Sequence, residues 1–178
     1  MSRITAKYLS ENIFDLAREN NLLDEVYSSL VSFDDIVNKN SQLRSFVQSK
    51  KITKNEKHSI LLEIFGKTIH PLIFELISHM KGSHAIKILH EILRYFSRSY
   101  KKSKDIVDVH AIVSEEMSNE QKDYIKNSID KILNKNAEIS VSVDKSIIGG
   151  IKLKINNTFL DASIQSQLQS LRNKLLLS

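Results

Sequence analysis

The 178-residue sequence contains no cysteine, a single proline and only four glycines. Without cysteine it can form no disulfide and offers no thiolate as nucleophile or metal ligand, a composition that fits a reducing compartment. So few glycines and prolines also leave little of the long, permissive loop structure on which active sites are usually built. No apolar run approaches the ~20 residues needed to span a bilayer, so direct membrane insertion is not expected. The opening residues make no signal-peptide apolar core, and Glu11, Asp15 and Glu19 run against a transit peptide. The expectation is a chain that works where it is made.

Signatures of catalysis are missing too. Gly149-Gly150 is followed by an alternating, strand-like run. A phosphate loop would need Lys-Ser or Lys-Thr opening a helix there, so these glycines suit a turn or bulge instead. No nucleophile-elbow pattern occurs. The six histidines, His58, His70, His79, His84, His90 and His110, include no pair at the i, i+4 spacing that sets two ligands on one helix face. His90-Glu91 begins like a zinc-protease motif, but Arg94 stands where its second histidine belongs. The acidic pairs Asp34-Asp35 and Glu115-Glu116 fall in solvated segments. The expectation is no catalytic residue, no cofactor and no metal.

What is present is helical periodicity, with 41% hydrophobic residues. The first helix runs from about Ile4 to Asn20, with a stripe of Ala6, Leu9, Ile13, Leu16 and Ala17. Phe14 lies off the centre of that stripe, and Ile4 and Tyr8 lie opposite it. A second helix carries Leu23, Val26, Leu30, Phe33 and Val37. Ser41 is expected to cap a short third helix with Leu43, Phe46 and Val47. Thr53-Lys54-Asn55-Glu56 is a capping box opening a fourth, with Ile60, Leu61, Ile64 and Phe65, ended by Gly66. Pro71 suits the first position of a fifth, with Leu72, Ile73, Leu76, Ile77 and Met80, and with Phe74 expected on the other side. Gly82 should stop it and Ser83 cap a sixth, whose stripe is Ala85, Ile88, Leu89, Ile92, Leu93 and Phe96.

Near Asp105 the period changes to extended. Ile106–Val109 reads as a strand, Ser118–Gln121 as a second capping box, and Tyr124, Ile125, Ile129, Ile132 and Leu133 as its helix. Ile139, Val141 and Val143 alternate, as do Ile151, Leu153 and Ile155. Asn156-Asn157 can turn the chain back as a hairpin. Asp161 is expected to cap a last helix bearing Ile164, Leu168, Leu171 and Leu175. The fold class is α+β and mostly α: a six-helix N-terminal bundle over residues 1–105, then a small strand-helix-strand-strand-helix domain over 106–178.

Charge is uneven. Residues 1–105 hold 17 Lys+Arg against 12 Asp+Glu, while 106–178 are balanced at 9 and 9. The basic half would suit an acidic partner, anionic lipid or nucleic acid. The strongest stretch holds Arg94, Arg98, Lys101, Lys102 and Lys104 with Tyr95 and Tyr100 interleaved, which makes a basic nucleic-acid-binding module the rival reading. Against it, the neutral C-terminal half lacks both a Gly-x-x-Gly loop and an aromatic strand signature.

Val143-Asp144, Ser146, Ile147-Ile148, Gly149-Gly150, the strand after them, Asp161, Ser163 and the Leu168/Leu171 spacing together resemble the C-terminal signature of the ATP synthase delta subunit family, which includes the mitochondrial oligomycin sensitivity-conferring protein. Ile13-Phe14-Asp15-Leu16-Ala17 is similar to the family's N-terminal Ala-Leu-Phe-Glu-Leu-Ala, and Met117-Ser118-x-x-Gln121 to its Leu-Ser-x-x-Gln. The family's tyrosine ahead of the first-helix Phe falls at Leu9, with Tyr8 one residue early, and Asn156-Asn157 replaces a glycine-containing hairpin. The resemblance implies a non-catalytic connector of the proton-driven ATP synthase, peripheral on the cytoplasmic face of the bacterial inner membrane. Its partners would be the alpha subunits, with beta as a further contact, and the b subunits of the peripheral stalk. It implies an alpha-subunit groove between the first and fifth helices, for which Ile13, Phe14, Ala17, Ile73, Phe74 and Ile77 are the candidates, and a b-subunit contact at Leu168, Leu171 and Leu175.

Overall fold

A computed structural model describes residues 3–176, with side chains from residue 6 onward. The Ile4 side chain, expected opposite the first helix's stripe, lies outside the described side chains. The chain is α+β and mostly helical, and it divides into two compact units, Met1–Tyr100 and Lys101–Ser178.

In the first unit α1 (Arg3–Glu19) packs on α2 (Leu23–Lys39), α2 on α3 (Ser41–Gln48) and α5 (Pro71–Ser78), and α4 (Lys54–Phe65) on α5; α6 (Ala85–Ser103) follows. All six helices feed one apolar core, among them Ala17, Val26, Phe33, Val47, Leu61, Ile77 and Phe96. Start signals act as expected at α4, where Thr53 N donates to the Glu56 carboxylate at 2.8 Å and Thr53 Oγ1 accepts from Glu56 N. At α5, Pro71 stands in the first turn behind His70, whose Nδ1 accepts from Leu72 N.

Three punctuation marks differ from expectation. Asn40, not Ser41, caps α3, its Oδ1 accepting from Gln42 N and Leu43 N, because an extended asparagine one residue earlier reaches both orphan amides. Helix α5 stops at Ser78, short of Gly82; that glycine serves the connection instead, where φ is +85° and its N–H donates to Gln48 O at 2.8 Å. Ser83 lends its carbonyl to the Gln48 side chain, and α6 begins at Ala85, whose N–H donates to Gly82 O. The apolar stripes shift as well. Phe74 sits fully inside the core rather than off it, whereas Leu16 and Ile64 are exposed. The cause on α1 is size: Ala6, Ser10 and Ala17 make the closest contact line, so the bulkier Leu16 falls to its flank.

The second unit is a four-stranded sheet in the order β2-β1-β3-β4, built from β1 (Ile106–Val113), β2 (Asn136–Val143), β3 (Gly150–Ile155) and β4 (Thr158–Ser163). Strands β1 and β2 run parallel, joined by the crossover helix α7 (Asn119–Leu133); the other pairings are antiparallel. Ile129 of α7 buries against Val107, Val109, Ala111, Ala137 and Leu153. Asn156 takes φ +51° in the two-residue turn that pairs Ile155 with Thr158. That hairpin leads into a strand that alternation did not announce. Asp161 therefore lies in β4 and caps no helix; Ser163 Oγ accepts from Ser166 N at the start of α8 (Ile164–Leu176).

Candidate partner-binding surfaces

Partner surfaces are apolar positions that the fold leaves open. On α1 the packed line of Ala6, Ser10 and Ala17 leaves Leu9 and Ile13 half-buried and Leu16 48% exposed. The i, i+4, i+7 spacing of these three aligns them along one flank of the helix. Phe14 turns the opposite way. Its ring meets Phe96 edge-on at 5.6 Å, with the Arg18 guanidinium 5.9 Å over its face. On α5, Ile73, Phe74 and Ile77 are fully buried, Phe74 with its ring edge-on to His58. Of the six head-side candidates, then, Ala17, Ile73, Phe74 and Ile77 are core residues, and only Ile13 and Phe14 reach the surface. Periodicity alone assigned Leu16 to the core; the small residues beside it were the available signal that it lies at the edge. The outer face of α5 carries Glu75, joined to Lys54 Nζ at 2.6 Å and to His79 Nε2 at 3.2 Å, contacts that hold its carboxyl below the usual range.

On α8 the expected stripe exists, and it lies exposed. No residue of the helix is buried, and Leu168, Leu171 and Leu175 are 55–70% exposed. All three b-side candidates therefore share one open apolar face. The helix is tied to the sheet at its start, where Ile164 N donates to Gly149 O at 3.0 Å. A Cβ on Gly149 would come 2.8 Å from the Ile164 side chain, and one on Gly150, at φ +85°, 2.5 Å from Ala162 O. The paired glycines are thus what lets β3 pass beneath the β4–α8 junction. Each Asp-x-Ser of the C-terminal pattern closes a small turn, Ser146 N donating to Asp144 and Ser163 N to Asp161, both at 2.9 Å. The serine hydroxyls, and then these backbone bonds, hold the two carboxyls below the usual range.

A sequence profile of the ATP synthase delta (OSCP) subunit matches residues 4–175. The chain belongs to that family. It is similar to the ATP synthase subunit delta of Caldicellulosiruptor bescii, 32% identical with 97% of each chain covered, and to that of Caldanaerobacter subterraneus, 30% identical with 96% of each covered. The subunit delta of Cytophaga hutchinsonii is 25% identical across 97% of this chain and 94% of its own. Among solved structures, a chain of the cryo-EM structure of the Toxoplasma gondii mitochondrial ATP synthase hexamer has the same fold, with a TM-score of 0.62 at 21% identity over 96% of this chain and 97% of that one.

A delta subunit is a non-catalytic part of the ATP synthase. This one gathers no group of three His, Asp or Glu side chains fit for a metal among its described residues. Nor does any helix among them have the length and apolarity to cross a membrane. The aromatic side chains that would have stacked on bases are engaged elsewhere. Tyr100 stacks on Tyr27 at 4.1 Å and donates to Asp24, and the Arg94 guanidinium sits 5.1 Å over Tyr95. Burial works against the Lys101 ammonium, but hydrogen bonds to Asp108 and Glu138, at 2.6 and 2.7 Å, outweigh it and raise its pKa.

Proposed function

We propose that this delta subunit is the static connector of the ATP synthase. Residues 1–105, acting as one six-helix bundle, hold the catalytic head through the N-terminal helix of an alpha subunit, with beta as a further contact. Residues 106–178 grip the far end of the peripheral-stalk b subunits. Held between the two, the head resists rotor torque during proton-driven synthesis. The subunit stays peripheral, on the cytoplasmic face of the bacterial inner membrane, because its partners hold it there. No bond is made or broken in it; function lies in tight interfaces that transmit force.

The observation that carries this reading is α8, a helix with an exposed apolar stripe at clean helical spacing. Such a face on a folded unit fits helix-to-helix docking, the contact a coiled stalk would offer. Covering Ile164, Leu168, Leu171 and Leu175 would regain roughly 1 kcal/mol per side chain before ordering costs. On the head side the alpha-subunit helix would lie between α1 and α5. Ile13 would make direct contact beside Leu9 and Leu16, while Ala17, Ile73, Phe74 and Ile77 would shape the floor from beneath; Phe14, its ring on Phe96, would border the site from the other side of α1.

The test is the pair Leu168→Asp and Leu171→Asp in one chain. Neither residue belongs to a core, so the thermal melt should match the parent. Binding to purified b subunits should fall by about a hundredfold or more, since a carboxylate buried against an apolar face costs several kcal/mol. Binding to an alpha N-terminal peptide should be unchanged. Undiminished b binding would remove α8 as the stalk contact.

A further inference from the structure

The second unit has another open apolar feature, independent of α8. A cavity of about 560 Å³ lies between the β1–α7 connection, the first turns of α7 and the start of β3. Val113, Met117, Ile125 and Ile151 supply its apolar lining, and Glu115, Glu116 and Glu120 its acidic residues. None of the three carboxylates has an ion-pair partner among the described residues. Tyr124 also lines the cavity and is 75% exposed. From Tyr124 the same side of α7 continues, at i+4 spacing, through Ser128 to Ile132, which is 80% exposed. The eight helical rises from Tyr124 to Ile132 give this flank a length of about 12 Å, or two turns of a partner helix.

Isolated exposed aliphatics are ordinary. Here an exposed tyrosine, an apolar recess and unpaired carboxylates occur together, which is the composition of a docking site: an aromatic and an apolar anchor point inside a charged rim. The sign of the rim selects the occupant. Three carboxylates repel phosphate-bearing ligands and acidic peptides, and favour a cationic segment. We propose that this cavity and the Tyr124–Ile132 flank form a second docking surface, seating an aliphatic side chain of a lysine- or arginine-rich amphipathic helix from a partner protein, with Glu115, Glu116 and Glu120 pairing its cations. The surface does not depend on what α8 binds.

Two designed helices with identical leucine positions serve as probes, one with lysine and one with glutamate on its polar face, each titrated into the isotope-labelled full chain. The lysine helix should shift the amide resonances of Glu116, Gln121, Tyr124 and Ile151, and the glutamate helix should leave them in place. The double substitution Glu115→Lys, Glu116→Lys changes only exposed connection residues, and its spectrum elsewhere reports that the fold is kept. It should weaken the lysine helix by about tenfold or more and admit the glutamate helix. Tyr124→Ala should weaken the lysine helix without altering the preference for charge. Shifts confined to Leu168, Leu171 and their neighbours, or equal binding of both helices to the parent chain, would overturn the proposal while leaving the stalk reading of α8 untouched.

Discussion

Lys57 offers the most demanding test of how the first unit is held together. It sits on the buried side of α4 at 1% exposure, beside Leu61. Its ammonium donates to Val47 O at 2.7 Å and to Met80 O at 2.8 Å. Val47 is in the last turn of α3, and Met80 follows the end of α5. A single cation thus closes orphan carbonyls at two helix C-termini, where the helix dipoles favour positive charge. Lys57→Met keeps the stem and removes the donor, leaving two buried acceptors unpaired at about 1–3 kcal/mol each. Relief of the lysine's own desolvation returns part of that, so a net loss of about 2–4 kcal/mol is expected. For a unit near 100 residues this is roughly a 10–20 °C fall in melting temperature.

The pH dependence of Lys57 gives a second readout. Burial, and then the nearby charge of Lys81, lower its folded pKa from 10.5. Between the folded and unfolded values the unfolded chain binds more protons, so folding stability from this group rises with pH through that window. Urea unfolding of parent and Lys57→Met, followed from neutral pH to about pH 10, should show the gap between them widening. A variant as stable as the parent would refute the two-carbonyl account, and a gap that narrows as pH rises would show that the ammonium's bonds outweigh the burial that lowers its pKa.

Two further outcomes follow from burial and from the Asp-x-Ser turns. Phe74→Asp should abolish the cooperative melt of the first unit, because Phe74 is fully buried and an unpaired carboxylate there has no partner; a normal circular-dichroism melt would return Phe74 to the surface. In the second unit the depressed pKa values of Asp144 and Asp161 stabilise the fold fully above the unfolded value of about 3.9, and that contribution is lost as pH falls through the folded values. The pair Asp144→Asn, Asp161→Asn should therefore flatten the acid limb of the stability profile, and an unchanged limb would show the two turns to be energetically silent.

What was legible in the sequence was whatever local chemistry decides. Both capping boxes, Pro71, the Asn156 turn and the stripes of α2 and α6 depend on neighbours a few residues away, and they stand where the pattern put them. What was not legible depends on distant partners. Phe74 is apolar at a position where α5 is apolar almost all round, so no periodicity could say which side faced the core. Strand β4 begins with Thr158-Phe159-Leu160, a run without alternation, and it is a strand because β3 pairs with it. No local pattern marks Lys57; only the meeting of α3, α4 and the connection after α5 makes it a core residue. Among the site candidates the difference is one of exposure: the α8 stripe is open, whereas the α5 positions are buried because that helix is apolar almost all round.

The two proposed partner surfaces also differ in the work that binding would have to do. The α1 flank belongs to a helix whose other side is locked into a core, so its Leu9, Ile13 and Leu16 are presented on a rigid frame. Helix α8 has no such frame. It is 13 residues long, buries none of them, and is fastened at its first residue. An isolated helix of that length is marginal in water, because nucleation and backbone ordering are not offset by burial. A partner that covers its stripe therefore supplies the missing tertiary contact, and part of the contact energy goes into holding the helix formed. Under the proposed connector role this division of labour has a physical logic: the head would meet a preformed surface, while the stalk would meet an arm that orders onto the apolar seam it is given.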